Sequence, residues 1–145
     1  MEKDRELLWR DICGRLPYKV HCVGLEDGKD KHFVIVGVED YSLVGGEKSA
    51  KVIVFDASET WSYVRKIEID SVRPYLRPMS SMMEEEQKVF VGFHCVNLCP
   101  IVMDSCLTIN NEASMFDWLN SHHFDYRGLI EKGLALKAPE GMYKQ

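Results

Sequence analysis

Apolar residues recur at helical spacing near the start of the chain. Leu8, Ile12 and Leu16 follow at intervals of four, with Trp9 and Cys13 beside them, while Glu2, Arg5, Glu6 and Arg10 take the opposite side. That stripe predicts an amphipathic helix over residues 3–13, stopped by Gly14 and Pro17. The period then falls to two. Tyr18, Val20 and Cys22 alternate with Lys19, His21 and Val23, and after the turn residues Glu26–Asp30 comes the β-branched run Phe33–Val38. Residues 18–25 and 32–39 therefore predict a hairpin. A third strand is expected at Lys51–Phe55 and a fourth around Ile67 and Ile69. The connections are too short for crossover helices, which makes an antiparallel order the expectation.

Beyond Val72 the pattern breaks. Pro74 and Pro78 predict an extended segment poor in ladder donors. Ser81 and Glu84 stand at capping-box spacing, so a short helix follows, and Val89–Phe93 then returns to strand-preferring residues. Residues 88–109 predict one or two strands interrupted at Pro100. Asn111 fits an N-cap for a helix with Met115, Trp118, Leu119 and His122 on one face. Asp125 fits a second cap, with Phe124 and Leu129 as its hydrophobic staple and Gly133 as its stop. The whole predicts one α+β domain over residues 1–145: an N-terminal helix, a mainly antiparallel curved sheet or small partly open barrel, and a helical C-terminal section packed on it.

Composition narrows the function classes. Eighteen Lys and Arg against 23 Asp and Glu give a net charge of −5. With a pI near 5.5, a broad phosphate-binding surface for nucleic acid is not expected, although a small local basic site is compatible. The charged start Met1–Glu6 has no apolar run, so no signal peptide is expected, and no stretch approaches a membrane span. The five cysteines, an odd number without an export signal, suggest reduced thiols in the cytoplasm.

Three blocks carry a resemblance: Arg5–Tyr18, Val72–Met82 and Asn120–Ala135 with Pro139–Tyr143. Together they resemble a large set of uncharacterised small proteins carried by phages and mobile elements of gut bacteria. The resemblance implies a bacterial cytoplasmic setting and no particular reaction. One departure stands out. The similar proteins carry Thr where this chain has Met83, which with Glu86 completes a capping box; here the cap is expected to move to Ser81 and the helix to be truncated.

Several clusters carry potential chemistry. Arg73, Tyr75 and Arg77 alternate on an extended segment, so the three project to one side. Cations interleaved with an aromatic ring suit a phosphate, a base or a partner carboxylate, with Arg127 as a further anion clamp. The structural alternative is an edge segment whose arginines lie over Tyr75. His122 and His123 are candidates for acid/base catalysis, but neighbouring helical positions point about 100° apart, so a continuing helix cannot aim both at one substrate. His94, Cys95, Cys99 and Cys106 are of types that bind zinc, but their spacing lacks the glycine of a tight knuckle and no cofactor is expected. Walker, dinucleotide-glycine, zincin and nucleophile-elbow patterns are missing.

The expected function is a non-enzymatic binding module, an accessory protein of a phage or mobile element that binds a host macromolecule or sequesters a small anionic ligand. The alternatives are a phosphate- or nucleotide-directed hydrolase or transferase with a histidine acid/base, and an oligomerising protein with an apolar patch around Trp9 or Trp61.

Overall fold

A computed structural model describes residues 2–40, 50–56, 64–95 and 105–143, and the side chains of 94–95 and 105–111 lie outside that description. The element order is α1 (Glu2–Arg15), β1 (His21–Glu26), β2 (Lys29–Asp40), β3 (Ala50–Asp56), β4 (Arg65–Glu68), β5 (Val72–Leu76), α2 (Glu84–Cys95), α3 (Ser105–Ser121) and β6 (Leu136–Lys137). The fold is α+β, with a six-stranded open sheet in the order β4-β3-β2-β1-β5-β6. All pairings are antiparallel except the short β5–β6 contact.

The helix and hairpin form where periodicity places them. Leu8 and Ile12 are buried on α1, and Asp27 and Gly28 turn the hairpin with φ of 51° and 74°. Both central residues at positive φ give the turn a twist that matches the strands. Cys22 pairs with Phe33 across the hairpin, and both side chains are buried against α1 together with Ile35, Val52, Val54 and Val72. The sheet curls strongly. Although two strands intervene, Ile67 of β4 lies over Gly24 of β1, where an added Cβ would come within 2.8 Å of Ile67 Cδ1. Glycine keeps that approach possible. Arg65 Nη1 closes the same curl by donating to Glu26 Oε2 at 2.7 Å. Trp9, expected as a centre of an apolar patch, packs on the main core, and Trp61 falls outside the described residues.

Four local expectations are corrected. First, the Pro-rich segment is no edge: β5 lies between β1 and β6, with Pro74 buried opposite Cys22. Second, residues 84–95 form one helix where strand was expected from residue 88. The strand preference of Val89–Phe93 yields to a cap, since the Met83 N–H donates to Glu86 Oε2 at 2.8 Å. The cap therefore stays at position 83, keeping only the carboxylate half of a capping box, while Ser81 Oγ donates to Pro78 O. Third, α3 begins at Ser105, ahead of the expected cap at Asn111, so residues 105–109 are helical too, and the expected interruption at Pro100 lies outside the described residues. Fourth, residues 125–133 are a chain of turns, not a helix. Asp125 does cap: its carboxylate accepts N–H groups from Leu129 and Ile130, each at 2.8 Å. Gly128 at φ 70° turns the chain out of the right-handed region immediately afterwards, so no helix propagates.

Candidate anion site

Phe124 ties the C-terminal turns to the sheet. Arg77 donates its N–H to His123 O and accepts the N–H of Asp125 on its own carbonyl, forming a parallel bridge beyond the end of β5. This pins His122 and His123, at the end of α3, against the residues that lead from α1 into β1. A cavity of about 240 Å³ lies between them, lined by Tyr18, Lys19, His21, Arg77, Ser121, His122, His123, Met142 and Tyr143. Among the described residues the lining holds two cations and three imidazoles and no carboxylate.

His123 is the unusual member. Its backbone takes φ of 60°, a left-handed conformation that costs a non-glycine residue about 1–3 kcal/mol. The residue is 6% exposed, its ring stacks on Tyr143 at 3.7 Å, and its Nδ1 has no hydrogen-bond partner. Burial, then the positive charge of Arg15 and the neighbouring His21, His122 and Arg77, push its pKa down to about 3. A neutral ring with an unpaired buried nitrogen is costly unless something meets it.

Tyr143 fastens the opposite wall. Its hydroxyl donates to Tyr75 O at 2.8 Å and accepts the His21 N–H at 3.1 Å, and burial raises its pKa. His21 Nδ1 lies 3.0 Å from His32 Nε2, so one ring must donate and the other accept; burial first, then His32, lower the His21 pKa. His122 differs from its neighbour. Its Nδ1 lies 2.9 Å from Trp118 O, which fixes that nitrogen as the donor. Ser121 Oγ also donates to Trp118 O, at 2.8 Å. The 3.0 Å Ser121–His122 contact is thus two donors sharing one carbonyl, not a base drawing a proton from a nucleophile.

A second layer of charge stands behind the cavity. Arg15 has no exposed side-chain surface; it donates to both Asp11 oxygens, at 2.7 and 2.9 Å, and to Phe124 O at 2.7 Å. Its Nη1 has no partner. Arg127 shares the same carboxylate, its Nε 3.4 Å from Asp11 Oδ1 without hydrogen-bond alignment. Two guanidinium groups therefore share one carboxylate. Arg77, by contrast, is neutralised: it donates to both oxygens of Glu86, each at 2.8 Å, and lies over the Phe124 ring. The Arg77 bonds, followed by the Met83 N–H, hold the Glu86 carboxyl below its usual pKa.

The sequence-predicted residues divide among these features. Arg77, His122 and His123 line the small cavity. Tyr75 lies behind it, touching Tyr143 through its carbonyl and His32 through its ring. Arg127 belongs to the Asp11 cluster. Arg73 is apart: it pairs with Asp30 at 3.6 Å and borders a different cavity of about 570 Å³ with Glu2, Asp4, Arg5 and Asp70. Arg73 and Arg77 thus face separate cavities rather than forming one strip. Cys99 and the side chains of His94, Cys95 and Cys106 lie outside the described residues. Of the other two cysteines, Cys22 is a buried free thiol with its pKa pushed up to about 12 by burial, and Cys13 is half-buried.

Periodicity did not reveal Arg15, Asp11, Lys19 or Tyr143 as parts of a site. The one legible signal is the four-residue Asp11–Arg15 spacing, which joins both side chains on a helix. No described helix is long and apolar enough to cross a membrane. Comparisons with protein-family models, with curated proteins and with solved structures find no match.

Proposed function

We propose that this chain is a binding module for a small anionic ligand, held in the cavity between His21, His123 and Arg77, in the cytoplasm of a bacterium that carries a phage or mobile element. The observation that carries this reading is the lining itself. Among the described residues Lys19 and Arg77 line it with three histidines and no acid, and one of those histidines, His123, has a buried, unpaired Nδ1. A ligand that accepts hydrogen bonds and brings negative charge relieves both features. At about 240 Å³ the cavity is smaller than the roughly 300–1,000 Å³ of drug-sized sites, so it suits a small ion or the charged head of a larger molecule. A Ser121–His122 nucleophile pair does not fit, because both side chains donate to Trp118 O.

The test is a titration of ¹⁵N-labelled protein with sodium sulfate at constant ionic strength, followed by two-dimensional NMR. The expected result is saturable shifts at Lys19, His21 and His123 and their loss in Lys19→Glu, whose exposed position spares the fold. Shifts confined to the surroundings of Arg73, or a non-saturating response everywhere, overturn the reading.

A further inference from the structure

Resting on that reading, we infer that the ligand is a small organic phosphate monoester, recognised as a dianion through two unbalanced positive charges and the unpaired nitrogen of His123. The charge count follows from the ion pairs. Arg15 and Arg127 share the single carboxylate of Asp11, which leaves one positive charge directly behind His123. Lys19 makes no ion pair among the described residues and adds a second on the cavity wall. Arg77 contributes none, because the Glu86 carboxylate neutralises it by pairing with Nη1 and Nη2. A monoanion such as a carboxylate or a phosphodiester leaves half of this charge uncompensated, a difference that counts most at the buried Arg15.

Shape supports an ester over the free ion. Met142 and the rings of Tyr18 and Tyr143 form an apolar and aromatic part of the wall that inorganic phosphate does not use. The size and the acidic protein as a whole argue against a polynucleotide, whose repeated charges a chain of net charge −5 repels. His123 can meet the phosphoryl oxygens by presenting Nδ1–H through choice of tautomer. The groups facing it are Arg15 from α1, His21 from β1, His122, Arg77 and the Tyr143 ring, none of them an acid that would hold a proton there beforehand.

The experiment is isothermal calorimetry at about pH 8, where a monoester is dianionic. The probes are methyl phosphate, dimethyl phosphate, acetate and inorganic phosphate. Methyl phosphate is expected to bind roughly tenfold or more tightly than dimethyl phosphate, and Lys19→Gln is expected to reduce that ratio to about threefold or less while leaving the thermal transition in place. His123→Asn, asparagine being tolerated at positive φ, is expected to weaken methyl phosphate binding roughly tenfold; unchanged binding overturns the contribution of His123. Dimethyl phosphate or acetate matching methyl phosphate overturns the dianion while leaving an anion site standing. Inorganic phosphate binding more tightly than methyl phosphate overturns the ester. If no probe binds, both this inference and the anion reading fall.

Discussion

The two ends of β5 each carry an arginine, and each arginine borders a cavity, but the cavities differ in kind. Near Arg73 the space is about 570 Å³, and its charged lining is mixed: Glu2, Asp4 and Asp70 against Arg5 and Arg73. Near Arg77 it is about 240 Å³, and no acid lines it. At the larger site the ion pairs are long and wet, Arg5–Asp70 at 3.8 Å and Arg73–Asp30 at 3.6 Å, with both acids more than half exposed. At the smaller site the positive charges outnumber their partners, and Arg15 among them is fully buried. Size alone therefore does not express the difference between the two cavities. Imbalance under burial does, because water no longer screens the excess.

The largest effect expected from this contrast is at Asp11. Asp11→Ala removes the carboxylate from a guanidinium without solvent access and is expected to cost about 3–5 kcal/mol in urea unfolding. A cost below about 1 kcal/mol erases the distinction between the two ends of the strand. Next come charge reversals in functional assays. Arg77→Glu is expected to abolish anion binding, by adding an acid to the wall and setting Glu86 free, whereas Arg73→Glu is expected to leave binding unchanged. Equal losses in both variants mean that the two cavities work as one.

A third test uses pH. The His123 pKa is about 3 when folded and 6.5 when free, so the unfolded chain binds the extra proton between those values. Stability from this group is present above about pH 6.5 and is lost as pH falls toward 3. Glu86 has the same sign, its contribution vanishing as pH falls through its lowered pKa. Thermal melts across this range are expected to show a shallower decline for His123→Asn than for the parent; identical profiles sink the assignment of a buried neutral ring. The smallest effect is expected at the larger cavity, where Arg5→Ala breaks a half-exposed pair and is expected to shift stability by less than about 1 kcal/mol.

Legibility in the sequence follows the range of the interactions. The first helix, the hairpin and the third strand were readable because local period and local turn chemistry agree with the fold, as Asp27-Gly28 shows. Residues 88–95 were not, because their strand preference is overruled by a cap from Glu86 that also depends on Arg77. Residues 125–133 misled in the opposite sense. Cap, staple and terminal glycine are all present, but Gly128 adopts positive φ four residues before a full helix could develop. Arg77 was legible as an anion-site candidate by its alternation with Tyr75. Arg15 was hidden because a charged residue on an amphipathic helix is normally assigned to solvent, and its burial depends on Phe124, 109 residues away.

The Tyr143 hydroxyl has a consequence for the order in which the molecule is made. It is the partner of both the His21 N–H and the Tyr75 carbonyl, groups from the first and middle thirds of the chain. His122, His123 and Met142 also follow the first five strands in the chain and complete the same wall. The sheet and α1 can assemble while the ribosome is still working. The cavity cannot, since its clasp is residue 143, so a nascent chain short of that point is folded in part and its cavity wall is open.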